Sequence, residues 1–232
     1  MKTQTILIDV DTQHDFCAPN GALFVKGADL LAEKFRALTN AGLEHNLLNL
    51  ASVDSHAFDA WEFAGAVDAG PIGERPGFPP HCVKGTAGWL KVSGTMAPRA
   101  RFVPNAAMSR EAIEAIATKQ APQQILLEKE VYSLFANPNA ATLLDVVVDR
   151  ARAPRFIVYG VALDYCVKAA TIGLLDWITT RGAGGEVWLV GDATASVFEA
   201  GGVEAQRECV AKGAKVVDTA AALLSIAQIG GA

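Results

Sequence analysis

Four strand-like stretches of this 232-residue chain end on side chains able to do chemistry. "DVDTQHDF" places Asp9, Asp11 and Asp15 after the first, and "VDSH" places Asp54 and His56 after the second. "LEKE" ends the third on Lys129, and "GVALDYC" leads from the fourth to Cys166. A thiol with a pKa of about 8.5 is a poor nucleophile until its surroundings favour the thiolate. Here Lys129 supplies positive charge and Asp11 can accept the thiol proton. A helical pattern starting near Cys166 offers its N-terminal dipole and unpaired N–H groups. Those N–H groups could also hold an oxyanion while a carbonyl is attacked. Singly, each residue reads as a turn cap, a solvated strand end or core packing. Together they describe an acyl-transfer site that needs no Ser/His pair.

A second group lies close by. Residues two apart on an extended segment project to one face, so Asp54 and His56 converge. His81, in "PPHCV", can add a third ligand and Glu62 a fourth. Carboxylates and imidazoles with open positions suit Zn²⁺ or Fe²⁺. Cys17, Cys82 and Cys209 lack a comparable lysine and are expected to be structural.

Such groups meet only if their strands run side by side. The runs "TILIDV", "LNLASVD", "QQILLEK", "RFIVYG", "EVWLVGD" and "AKVVD" are short and rich in Ile, Val and Leu, as in strands buried on both faces. Helical patterns fall between them at about Ala28–Ala41, Arg110–Lys119, Asn139–Ala151, Asp164–Thr180, Gly202–Lys212 and from Thr219. The alternation predicts an α/β fold of three layers, doubly wound around a six-stranded, mostly parallel sheet. In such sheets, sites form beyond the carboxyl ends of the strands. No repeat or low-complexity linker interrupts the chain, so residues 1–232 read as a single domain. Residues of about 57–105 lack periodicity, but Phe58, Trp61, Phe63, Phe78 and Trp89 argue for a folded, functional loop.

A net charge of −5 and the lack of a Lys/Arg cluster argue against nucleic acid as a partner. No apolar run approaches the roughly 18 residues that span a bilayer, so no membrane partner is expected. The N-terminus enters a strand pattern directly, without the form of a signal peptide, and four scattered cysteines suit free thiols. A cytoplasmic location is expected.

The motifs "DVDTQHDF", "VDSH", "PPHCVKGT", "LEKEVYS" and "GVALDYCV" appear in the order and spacing of the isochorismatase-like cysteine hydrolases. The chain resembles that family from about Ile6 to about Val217, most of all its nicotinamidase/pyrazinamidase branch. The resemblance implies Asp11, Lys129 and Cys166 as the catalytic set. It implies Asp54, His56 and His81 as ligands of a divalent metal, with Glu62 at a more variable position. Zinc is the first expectation and iron or manganese the alternatives. It also implies a cis peptide at Val161–Ala162, an oxyanion held by the N–H groups of Ala162 and Cys166, and a homo-oligomer. The implied activity is hydrolysis of a small carboxamide, nicotinamide first, through a cysteine thioester, with Phe16, Phe78 and Tyr132 as pocket walls. The alternatives are a metal-independent hydrolase of a ureide or carbamoyl compound, or a non-catalytic binding protein on this fold. Departures from the family pattern are Phe78 where a Trp is usual, Trp89 at an acidic position and a long insertion around Ala64–Gly77. They are expected to surround the substrate pocket.

Overall fold

Seven strands form one sheet in the computed structural model, which describes residues 3–70, 73, 75–182 and 184–231. In chain order they are β1 (Thr3–Val10), β2 (Asn49–Asp54), β3 (Ala100–Val103), β4 (Gln124–Lys129), β5 (Ala153–Val161), β6 (Glu186–Ala195) and β7 (Lys215–Val217). Their spatial order is β3-β4-β2-β1-β5-β6-β7, and every neighbouring pair is parallel. The sequence pattern predicts six strands; the seventh is β3, "ARFV", inside the long loop. It is a four-residue edge strand with only Val103 buried, so it carries neither a continuous apolar run nor a full alternation.

The helices are α1 (His14–Cys17), α2 (Ala32–Glu44), α3 (Arg110–Thr118), α4 (Ala140–Val147), α5 (Lys168–Arg181), α6 (Glu199–Lys212) and α7 (Thr219–Ala227). The period of two along the strands sorts them into two outer layers. Ile6, Ile8, Val10, Phe156 and Val158 face one layer with Ile113, Leu143, Leu174 and Ala205 of α3 to α6. Leu7, Ile157 and Tyr159 face the other, against Phe35 and Leu38 of α2 and Ala222 and Ile226 of α7. Each helix contributes one stripe. On α5 the buried positions are Ala170, Thr171, Leu174, Trp177 and Ile178, the spacing of a single helical face. Among the described residues no helix is long and apolar enough to cross a membrane.

α5 starts at Lys168, not at Asp164. Residues Leu163–Val167 form a wider π-helical turn in which Ala162 O accepts from the N–H groups of both Tyr165 and Val167, at 3.1 and 3.0 Å. The apolar pattern runs through this turn unbroken, which hides the boundary in the sequence. The Val161–Ala162 peptide immediately before it is cis, as the resemblance implies.

The described residues of 57–105 are folded, and hydrogen bonds fix the segment around residues 88–92 to the end of β1. His14 N donates to Leu90 O (2.8 Å), Asp15 N to Gly88 O (3.0 Å) and Val92 N to Thr12 O (2.9 Å). Residues 71, 72 and 74 of the Ala64–Gly77 insertion lie outside the described residues. A buried ion pair completes the attachment: Lys91 Nζ lies 3.0 Å from Asp9 Oδ1 and donates to Thr12 Oγ1 at 2.8 Å, with both charged side chains almost wholly out of solvent. Removing one partner of such a pair leaves an uncompensated buried charge. Lys91→Met is therefore expected to lose about 3–5 kcal/mol in urea unfolding, and adding Asp9→Leu to recover most of it, because two apolar groups strand no charge. Equal losses in the single and double variants would show that the ion pair is not what holds this loop.

Candidate active site

Parallel pairing brings the chemistry-bearing strand ends to one edge. Asp54 and Lys129 are register partners, and Val10, just before Asp11, pairs with Ser52 on one side and Gly160 on the other. Gly160 makes that approach possible. Its φ is 123°, and a Cβ there would stand 2.0 Å from Val10 O, so a side chain would force β1 and β5 apart just below the site.

Asp11, Lys129 and Cys166 meet in the interior. Lys129 Nζ lies 2.8 Å from Asp11 Oδ2, 2.6 Å from Asp54 Oδ1 and 3.5 Å from Cys166 Sγ, and its side chain is wholly buried. Burial alone disfavours the ammonium, but Asp11, Asp54 and Cys166 outweigh it and hold the Lys129 pKa well above the usual lysine value. Burial raises the Asp11 pKa and Lys129 only partly offsets this, so Asp11 is a stronger base than an exposed aspartate. One Asp11 oxygen, Oδ1, accepts from Ser52 Oγ at 2.7 Å. The other, Oδ2, is buried beside Lys129 without a well-directed hydrogen bond and is available for a proton.

The surroundings of the Cys166 thiol oppose its ionisation. Burial pushes the Cys166 pKa well above the ordinary value, and the pull of Lys129 is countered by Asp11 and Asp54. Two carboxylates already face one ammonium, so the cluster favours the thiol over the thiolate. The other three cysteines are also buried and unbridged; burial pushes Cys17 up to about 12 and Cys209 to about 11, and Cys82 is raised too.

Asp54 is shared between two groups. While Oδ1 contacts Lys129, Oδ2 lies 3.4 Å from His56 Nε2 and 3.9 Å from His81 Nε2. Burial opposes its charge, but Lys129 and His56 hold its pKa well below the usual carboxylate range. Glu62 Oε1 lies 2.6 Å from His56 Nε2 and 3.8 Å from His81 Nε2, so the least secure ligand by sequence takes its place in the group. One donor atom from each of Asp54, His56, Glu62 and His81 falls within 4.8 Å of all the others, and all four residues are buried.

The donor set fits a divalent cation. His81 Nδ1 is 2.8 Å from Pro79 O, which can only accept, so Nδ1 carries the proton and Nε2 presents its lone pair to the group. Neither ring nitrogen of His56 makes a well-directed hydrogen bond, although Nε2 is close to two carboxylates. Close but misaligned donors are disposed around a common centre. Without a cation, burial disfavours the charged imidazole, yet Asp54 and Glu62 push the His56 pKa up to about 9; burial lowers that of His81.

A narrow cleft joins the two groups. Phe16, Phe78 and Tyr132 line it, together with Asp54, Glu62, His81, Ala162 and Cys166. Tyr165 closes one side, with its ring 5.2 Å from Tyr132 and 6.2 Å from Phe78. Larger hollows lie beside Trp177 and Arg181 and beside Lys26 and Gln206, but neither is lined by Asp11, Lys129 or Cys166. Trp89 does not line the cleft: its Nε1 donates to Ser55 Oγ at 2.6 Å and its ring stacks on Phe102. Sequence reasoning overlooks Ser52, Gln13 and Tyr165. Ser52 was open to inference, since it lies two residues before Asp54 and hence on the same face of β2.

The chain matches the family model described as "Isochorismatase domain" over residues 5–221. It is similar to the nicotinamidase/pyrazinamidase of Mycobacterium tuberculosis, with 32% identity over 165 residues, 70% of this chain and 74% of that one. Among solved structures it resembles the pyrazinamidase of Pyrococcus horikoshii in complex with zinc, with a TM-score of 0.66, 25% identity and coverage of 93% and 99% of the two chains. The yeast nicotinamidase bound to the inhibitor nicotinaldehyde shares the fold, with a TM-score of 0.66, 21% identity and coverage of 93% and 100%.

Proposed function

The chain belongs to the isochorismatase family, and from that premise we propose that it is a cysteine-dependent amidohydrolase of small carboxamides, nicotinamide first among them. The observation that carries the proposal is the position of Lys129 Nζ, 2.8 Å from Asp11 Oδ2 and 3.5 Å from Cys166 Sγ, at the base of an aromatic-walled cleft. Asp11 takes the thiol proton as Cys166 sulfur attacks the amide carbon, forming the C–S bond and moving the carbonyl electron pair onto oxygen. The N–H groups of Ala162 and Cys166 hold that oxyanion, and Lys129 compensates the accumulating negative charge. As the carbonyl re-forms, the C–N bond breaks and Asp11 returns its proton to the departing nitrogen, which leaves as ammonia. Water then adds to the thioester with Asp11 as base, and the sulfur leaves and is reprotonated, giving the free acid.

Asp54, His56, Glu62 and His81 are the residues that would hold a divalent metal, with zinc first by donor chemistry and by analogy with the pyrazinamidase of Pyrococcus horikoshii, and iron or manganese as alternatives. When bound, that ion would supply a coordination position for a substrate ring nitrogen or an ordered water. Phe16, Phe78 and Tyr132 form the flat apolar walls for the ring.

The test is ammonia release from nicotinamide and from benzamide, which has the same outline without the ring nitrogen. Turnover of nicotinamide well above that of benzamide is expected, with the difference lost after chelation. Full activity in metal-free protein, with preference for ureides or carbamoyl compounds, would overturn the substrate assignment. Absence of ammonia release from every small amide would overturn the enzyme assignment.

A further inference from the structure

Of the four residues that would hold the metal, Asp54 ends β2 and the other three follow it outside the named strands, and side chains of one short segment brace this region. Gln13, wholly buried, replaces a neighbouring strand at the end of β2. Its Nε2 donates to Asp54 O at 2.8 Å, its Oε1 accepts from Asp54 N at 2.7 Å, and Nε2 also donates to Trp89 O at 2.9 Å. Both backbone groups of Asp54 are thereby fixed by a single amide.

Asp15, two residues on, grips the other segment. Its Oδ2 accepts from Cys82 N at 2.7 Å and its Oδ1 from Ala22 N at 3.0 Å. Cys82 follows His81 and adopts a left-handed conformation, with φ 46°, which is uncommon for a residue with a side chain and needs external support. Its carbonyl in turn accepts from His56 N at 3.1 Å, and Lys84 N donates to His56 O at 3.0 Å. Asp15 therefore holds the junction from which both His81 and His56 are set. The chain makes room for that carboxylate: a Cβ at Gly88 would lie 2.0 Å from Asp15 Oδ2.

We propose that Gln13 and Asp15 are positioning residues for the metal group, Gln13 through Asp54 and Asp15 through Cys82, and that their hydrogen bonds set the spacing of its four donors. Neither residue lies among the four donors: Gln13 bonds the backbone of one of them, Asp54, and Asp15 bonds the backbone of Cys82, the residue after His81. Outer partners of this kind characteristically change metal affinity by about 10–100-fold. The inference rests on the metal reading of the site given above.

The test uses the full chain and Zn²⁺ alone, with affinity measured by competition against a chromophoric chelator and stability measured in parallel by urea unfolding. Asp15→Asn and Gln13→Glu are each expected to weaken Zn²⁺ binding about 10–100-fold. Gln13→Glu keeps the acceptor for Asp54 N but loses both donated bonds. The control is Gln4→Ala at the opposite end of β1, where Gln4 Nε2 donates to Val147 O and Oε1 accepts from Asp149 N. It is expected to lower stability while leaving Zn²⁺ affinity unchanged. Should Asp15→Asn fail to fold, Gly88→Ala displaces the same carboxylate and is expected to weaken Zn²⁺ binding likewise. Wild-type affinity in folded Gln13→Glu, together with wild-type affinity in Asp15→Asn or Gly88→Ala, would overturn the positioning role, as would an equal loss in Gln4→Ala. Wild-type protein that takes up no Zn²⁺ would instead overturn the metal reading on which the inference rests.

Discussion

Cys166→Ala is expected to reduce ammonia release by about five to six orders of magnitude, the scale on which a covalent mechanism fails when its nucleophile is removed. The fold should persist. The side chain lost is small and lies on the wall of a cleft, so the expected stability change is about 1–3 kcal/mol at most, and circular dichroism and unfolding midpoint check it. Cys166→Ser is expected to fail almost as completely. A hydroxyl is a much weaker acid than a thiol, and in a cluster that already holds two carboxylates against one ammonium its alkoxide is out of reach. Substantial turnover by either variant would mean that another group, or water directly, attacks the amide.

Lys129→Ala is expected to damage the protein twice over. It removes the cation beside the thiol and should lower the rate by orders of magnitude. It also leaves the buried carboxylates of Asp11 and Asp54 without the ammonium between them, so that Asp11 loses its only cation among the described residues, which should lower stability by about 3–5 kcal/mol. The two effects separate in the Lys129→Ala/Asp11→Asn double variant. Removing one stranded charge should restore part of the stability measured by urea unfolding, while activity stays at the single-variant floor because the groups act as a unit. A Lys129→Ala protein as stable as the wild type would show that the two carboxylates find another partner or take up protons at little cost.

The central strands and the strand-end residues were legible because each carries its own pattern. β1, β2, β4 and β5 each carry a short Ile-, Leu- or Val-containing run and are buried through most of their length; Asp11, Asp54 and Lys129 mark where the first three stop, and Cys166 follows the fourth. β3 was not legible, since an edge strand with one buried residue leaves almost no imprint on composition. Nor was the π-helical turn that holds Cys166, because its buried residues continue the helical spacing of α5. The sequence also places Trp89 near the pocket, whereas its contacts with Ser55 and Phe102 turn it away. The direction of one aromatic ring depends on contacts across the loop that no local pattern encodes. The protonation of Cys166 was hidden for a related reason. It depends on a balance between three neighbours at the ends of three strands, and Asp54 reads in the sequence as a metal ligand alone.

The central position of β1 has a consequence for how the chain is made. Its first residues pair with β5 across 150 positions, Thr3 against Ala153, and with β2 from Leu7 against Asn49. Contacts of such long range are slow to form, because loop closure must precede any gain from pairing. At about 5–20 residues per second, β1 is synthesised roughly 8–30 seconds before its partner β5. During that interval one edge of an eight-residue strand with Ile6, Leu7, Ile8 and Val10 in its second half stays open, and that strand is the part of the nascent chain a chaperone would be expected to cover.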